Sequence, residues 1–206
     1  MPPTFFDTPE KLAMLRTAAR LVLHTPFCAN SEAPGSDGGL DCVHTLNWVY
    51  RFCGAIGHLV IPRQAMDAGQ HTDRSALIEA FETWPALHSR FALVWRSPAF
   101  RVPSSESDSA LPPFSPSVLL PGDALCFLAG KVPHHGGIVL EDGEFLHALR
   151  DHGVHTMRLD ASLRGWQPLG LLAAVYRPLP LEVPSSAFRV PSSAGSALSS
   201  QPSTLN

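Results

Sequence analysis

The sequence is short of the features that would announce a partner. It has no excess of charge of one sign: 15 Lys and Arg stand against 18 Asp and Glu, a formal net charge of -3 with neutral histidines. Without a basic block there is nothing to neutralise a row of phosphates, so nucleic acid is excluded as the expected partner. No stretch reaches the roughly 18 consecutive apolar residues of a membrane span. The best candidate, Leu12 to Leu23, is broken by Arg16 and Arg20, and no membrane partner is expected. A basic start, an unbroken apolar run and a small-residue cleavage site are all missing from the N-terminus, which predicts a chain that is cytoplasmic as synthesised. Cysteine is sparse as well. Cys28, Cys42, Cys53 and Cys126 form no CxxC pair, so neither a disulfide scaffold nor a paired-cysteine metal site is expected.

Against these shortages stands an excess of proline, 20 residues, together with 15 glycines. The excess is local. Residues 98–117 and 181–206 are rich in Pro and Ser, and the heptapeptide Ala-Phe-Arg-Val-Pro-Ser-Ser occurs at 99–105 and again at 187–193. The 88-residue spacing of the copies fits no solenoid unit, so these segments read as an inserted loop and a disordered tail that add no core. What remains, residues 1–180, has the length of one domain.

Within that domain the period of the apolar residues changes once. Thr8-Pro9 is a helix start, and Leu12, Leu15, Ala19 and Val22 follow at helical spacing. Asp41 can cap a second helix bearing Cys42, Leu46, Val49 and Cys53 on one face, ended by Gly54. Asp73 opens a third pattern through Phe81, stopped by Pro85. From Ala124 the pattern becomes that of short strands: 124–128, 135–140, 144–149, 154–159 and 169–176, parted by Gly or Asp turns. Helices first and closely connected strands second predict an α+β fold, with N-terminal helices packed on a C-terminal antiparallel sheet.

Two residue types could carry chemistry. Cys42 falls in the first turn of its helix, where the dipole and the unpaired N–H groups favour a thiolate. Ten histidines are present, and His134, His135, His147, His152 and His155 crowd the strand half. One histidine on a strand beside a cysteine-bearing helix, with a polar group to orient it, is what thiol catalysis requires. The same crowd allows a zinc set of His147, His152 and His155, but no HExxH motif supports it. His152 and His155 are instead expected to be solvated turn residues.

The stretches Thr25-Pro26-Phe27, Gly38-Gly39-Leu40-Asp41-Cys42, Trp48-Val49-Tyr50-Arg51, Pro121-Gly122-Asp123-Ala124-Leu125, His135-Gly136-Gly137-Ile138 and Gly143-Glu144-Phe145-Leu146-His147-Ala148 resemble, in order, the NlpC/P60 cysteine peptidases of bacterial cell walls. The likeness runs from about Lys11 to Pro178 and is greatest to the compact phage-tail members. The resemblance implies a papain-like α+β fold, Cys42 as nucleophile, His135 as general base and His147 as the polar residue that orients it. It implies no cofactor, a peptidoglycan stem peptide or muropeptide as substrate, and phage tail proteins as conceivable partners. Two departures stand out. Val43 and His44 follow the cysteine where the family has a small residue and Gly, and His24 and Phe27 flank Thr25-Pro26 where members often have Gly and Tyr. Rival functions are a thiol acyltransferase or amidase of the same fold, and a tail component that holds wall peptide without cutting it.

One geometric expectation follows. A regular two-residue turn at Asp142-Gly143 would put His135 and His147 on opposite faces of the sheet. A three-residue connection, a type I turn with Gly143 left-handed in a bulge, pairs Leu140 with Glu144 and Gly137 with His147. Both imidazoles then share one face, turned toward the start of the Cys42 helix.

Overall fold

The structure is a computed structural model that describes residues 1–63, 72–100, 113–162 and 167–181. Most of the Pro/Ser segment at 98–117, the tail beyond Leu181 and the second heptapeptide copy lie outside the described residues.

Helix α1 spans Pro9–Val22. Thr8 caps it, its hydroxyl accepting the Lys11 N–H, and Leu15, Ala18, Ala19 and Val22 form its buried stripe. Helix α2 spans Cys42–Phe52 and starts at Asp41, whose carboxylate accepts the His44 N–H at 2.8 Å. Gly54, at φ 71°, supplies the left-handed residue after its end. Helix α3, Ala76–Thr83, begins later than expected: the cap is Ser75 and not Asp73. The Ser75 hydroxyl accepts the Ile78 N–H and also donates to the Pro133 carbonyl. That long-range bond ties α3 to the sheet and selects one of two adequate caps.

The sheet has six antiparallel strands, β3 Phe91–Arg96, β4 Ala124–Ala129, β5 Val132–Val139, β6 Glu144–Leu149, β7 Gly153–Arg158 and β8 Leu172–Pro178, in the order β3-β8-β4-β5-β6-β7. Two residue pairs upstream, Glu32–Ala33 (β1) and Gly39–Leu40 (β2), make a small antiparallel ribbon. Strand β3 was not expected. It ends on Arg96, which reads as polar but is buried against Glu82 and Tyr176. The expected strand at 169–176 starts instead at Leu172, because Pro168 opens a short helical turn over Pro168–Leu171.

The two faces of the sheet are both covered. Cys126, Ile138, Leu146, Ala148, Ala174 and Tyr176 pack with α1, α2 and α3. Leu125, Phe127, Val139, Phe145, Met157 and Val175 form a second cluster on the other face. Removing a side chain such as Ile138 or Leu146 from water stabilises the fold by about 2 kcal/mol. Asp123, fully buried, is held by a two-pronged ion pair from Arg177, at 2.9 and 2.8 Å, and by the Leu120 N–H. Pro121-Gly122-Asp123 is therefore a structural corner: Gly122, at φ 88°, lies so close to Phe6 that a Cβ would fall within its ring.

The β5–β6 hairpin fixes the register that matters for chemistry. Gly137 pairs with His147 and Ile138 with Leu146, and the Leu140 N–H donates to the Glu144 carbonyl, so the connection has three residues. The turn itself differs from the expected type I form. Asp142 and Gly143 are both left-handed, at φ 57° and 75°, and the Glu144 N–H closes onto the Glu141 carbonyl. The tip is thus a primed turn, and Glu141 is the extra residue that restores the shared face.

Candidate active site

Cys42 begins α2 and is half-buried. Its Sγ lies 3.9 Å from the His134 carbonyl oxygen, and the Gly136 N–H points at the sulfur. The thiol therefore rests on the backbone of β5 on both sides of His135. This is where the sheet opens: β5 pairs with β6 only as far as Gly137 and His147, while β6 continues along β7 to Leu149. The start of α2 fills the gap.

The helix terminus does favour a thiolate, through the N–H groups of Cys42 and Val43. Burial outweighs it, and with the Asp41 charge alongside pushes the thiol up to about 12. Desolvation of the charged form thus exceeds what a few N–H dipoles return, and the thiol is neutral.

His135 and His147 are brought together. His135 Nε2 and His147 Nδ1 are 3.0 Å apart, a hydrogen-bonding distance, with the two residues 9% and 0% exposed. Burial, with the neighbouring His134 and His155, holds His135 down at about 4. The same cause, with His135, His155 and His152 adjacent, holds His147 far below the ordinary histidine value. Both rings are neutral at physiological pH. They sit beside Phe127 and Phe145, with ring centroids 5.9 Å (Phe127 to His135) and 4.7 Å (Phe145 to His147) apart. Gly136, between them in the strand alternation, faces Leu46 of α2. The rings thus occupy the face opposite the one α2 covers. The thiol meets β5 at its edge, against the backbone on either side of His135.

His155 is not a turn residue. It stands on β7 directly across from His147, with the two ring centroids 4.3 Å apart, and its Nδ1 donates to the Gly153 carbonyl at 3.2 Å. The strand expected at 154–159 already contains it, but its partner across the ladder was not legible. His152 lies 5.5 Å from His155, centroid to centroid. Among the described residues no group of three or more His, Cys, Asp or Glu side chains is arranged to hold a metal ion.

The departures from the family pattern have local causes. His24 is left-handed, at φ 64°, in the position where the resembled family often has Gly. Thr25 is buried, and its hydroxyl accepts the Gly35 N–H while its carbonyl accepts that of Val154. His44 is buried beside Asp41: its Nδ1 lies 2.8 Å from the Asp41 carboxylate, whose other oxygen takes the Asn30 N–H. A cavity of 660 Å³ under the β5–β6 hairpin, lined by Leu125, Val139, Phe145 and Arg158, does not include Cys42, His135 or His147.

The sequence matches no known family and no curated protein. Among solved structures, the chain is similar to a lipoprotein-like NLP/P60 family protein of Staphylococcus aureus, at 18% identity, over 86% of this chain and 44% of that one, with a TM-score of 0.47. It is also similar to NlpC1 of Trichomonas vaginalis, at 13% identity, over 85% and 46% of the two chains, with a TM-score of 0.45. A third is the peptidoglycan hydrolase RipB of Mycobacterium tuberculosis, at 14% identity, over 82% and 64%, with a TM-score of 0.41. The chain spans less than half the length of the first two.

Proposed function

We propose that this protein is a cysteine hydrolase of the NlpC/P60 type that cleaves an amide bond in peptidoglycan stem peptides. The observation that carries the reading is the pair His135 Nε2–His147 Nδ1 at 3.0 Å, with His135 on the strand whose backbone meets the Cys42 thiol. It is supported by the ordered motifs around Asp41-Cys42, Pro121-Gly122-Asp123 and His135-Gly136-Gly137.

The reaction follows from the protonation states. Thiol and imidazole are both neutral, so the proton moves as the bond forms. Cys42 Sγ attacks the scissile carbonyl carbon while its proton passes to His135. His135 Nε2 is committed to His147, which assigns the transfer to Nδ1. The Nε2–H donates to His147 Nδ1, and that bond strengthens as the ring becomes an imidazolium. N–H groups at the start of α2 face the oxyanion. The C–N bond then breaks, the amine leaves with the proton from His135, and a thioester to Cys42 remains. Water, deprotonated by the same histidine, adds to the thioester and releases the acid and the free thiol.

The reading is tested by incubating the protein with purified sacculi and identifying released peptides by mass spectrometry. Release of stem-peptide fragments by the wild type and none by Cys42→Ala is the expected result. No release by either overturns the proposal.

A further inference from the structure

His44 is a residue the proposed reaction does not use, and the structure gives it an unusual setting. Its ring is buried in the first turn of α2 between two carboxylates. Nδ1 lies 2.8 Å from Asp41 Oδ1 and Nε2 3.8 Å from Glu32 Oε1. Among the described residues no lysine or arginine forms an ion pair with Asp41, and Arg51 lies 3.8 Å from the second oxygen of Glu32.

Asp41 is the immediate neighbour of Cys42, and its charge opposes a negative sulfur. The Asp41 carboxylate caps α2 and takes the N–H groups of His44 and Asn30, so its charge is held at the start of the helix. The fold therefore faces a conflict between capping the helix and letting Cys42 develop negative charge. We infer that His44 resolves it: as an imidazolium bonded to Asp41, it is a positioning residue whose charge cancels that of the cap and makes a negative Cys42 sulfur less costly. This rests on the reading of Cys42 as the nucleophile.

The surroundings agree on the sign. Burial alone would hold His44 down, but the bond to Asp41 and the charges of Asp41 and Glu32 bring it above the ordinary histidine value. Burial alone would raise the Asp41 carboxyl, yet the His44 ring and the N–H groups of His44 and Asn30 bring it below. The remaining titratable groups around the pair are Cys42 itself and His134, which feels the Asp41 charge and is lowered chiefly by burial.

The test is a double-mutant cycle read on the thiol rather than on turnover. Iodoacetamide alkylation of Cys42, resolved by peptide mass spectrometry across pH 7 to 11, reports its thiolate fraction in wild type, His44→Gln, Asp41→Asn and the double variant. Gln keeps a polar side chain without the charge, and Asn keeps the cap. His44→Gln is expected to slow Cys42 alkylation below its pKa about tenfold, one pKa unit, with kcat falling and KM little changed. The double variant is expected to recover most of that loss, because the charge His44 offsets is gone. Equal Cys42 profiles in wild type and His44→Gln overturn the inference. So does a double variant as slow as the single, which indicates a packing role. If Cys42→Ala cleaves sacculi as the wild type does, both the inference and the nucleophile fall. If the cycle behaves as stated but sacculi are not cleaved, the inference stands and the substrate reading fails.

Discussion

Gly137 stands directly across from His147 in the β5–β6 ladder, and a Cβ there would come within 2.8 Å of the Phe145 ring that packs against that histidine. The missing side chain is what lets a ring lie flat over this part of the sheet. Gly137→Ala must displace Phe145, and with it His147. We expect a loss of about 1 to 3 kcal/mol of stability from overpacking, together with a fall in kcat larger than the change in Tm would suggest. Thermal melting and turnover measured on the same preparation check this.

The hairpin tip yields a prediction of the opposite kind. Because Glu141 is the extra residue of a turn already closed by Asp142 and Gly143, deleting it leaves Leu140 opposite Glu144 and the ladder in register. The loss is the exposed Arg16–Glu141 ion pair, at 2.7 Å, which is worth about 1 kcal/mol or less. The deletion variant should keep turnover and melt within a few degrees of the wild type. Abolished turnover in a folded protein would mean that the register had slipped and the two imidazoles had separated.

How far the sequence could be read depended on whether local chemistry and tertiary contacts agreed. Thr8-Pro9 and Asp41 announce their helices because cap and apolar stripe coincide. The register of His135 and His147 was accessible because parity alone decides whether two strand residues share a face. Ser75 displaced Asp73 as a cap through a bond to Pro133, a residue 58 positions away. Strand β3 was hidden because its buried Arg96 relies on partners distant in sequence, Glu82 and Tyr176 among them. The helix start at Cys42 was legible from Asp41, but the burial that opposes a thiolate there was not, since it depends on how β5 packs against the thiol.

His147 and His155 offer a test of orientation as distinct from proton transfer. Cys42→Ala should abolish turnover with little change in Tm, since a half-buried thiol leaves a small cavity. His147→Gln, which can still accept from His135, should retain measurable activity, and His147→Ala should retain far less. His155→Phe keeps a ring against His147 and should be milder than His155→Ala. A His155→Ala enzyme with wild-type kcat would show that the 4.3 Å ring contact does not help hold the pair.

The buried neutral histidines set an acid limit whose direction can be worked out. An unfolded histidine titrates near 6.5, at about the value of a free side chain, whereas His135 in the fold is held at about 4 and His147 lower still, chiefly by burial. Between those values the unfolded chain binds protons that the folded chain refuses. The stability these groups contribute is therefore complete above the unfolded value and is lost as pH falls toward the folded one, by up to about 1.4 kcal/mol per pH unit for each proton. His44, raised in the fold, works the other way: its contribution is present below the unfolded value and fades as pH rises through the folded one. Urea titrations from pH 4 to 8 should thus show stability rising through pH 5 to 6.5. Replacing His135 with Gln should flatten that rise. In the same range kcat/KM should not show an inflection near 6.5, because the base stays neutral until about 4. An acid limb centred at 6.5 in a protein still folded would show that His135 is more open to water than its 9% exposure implies.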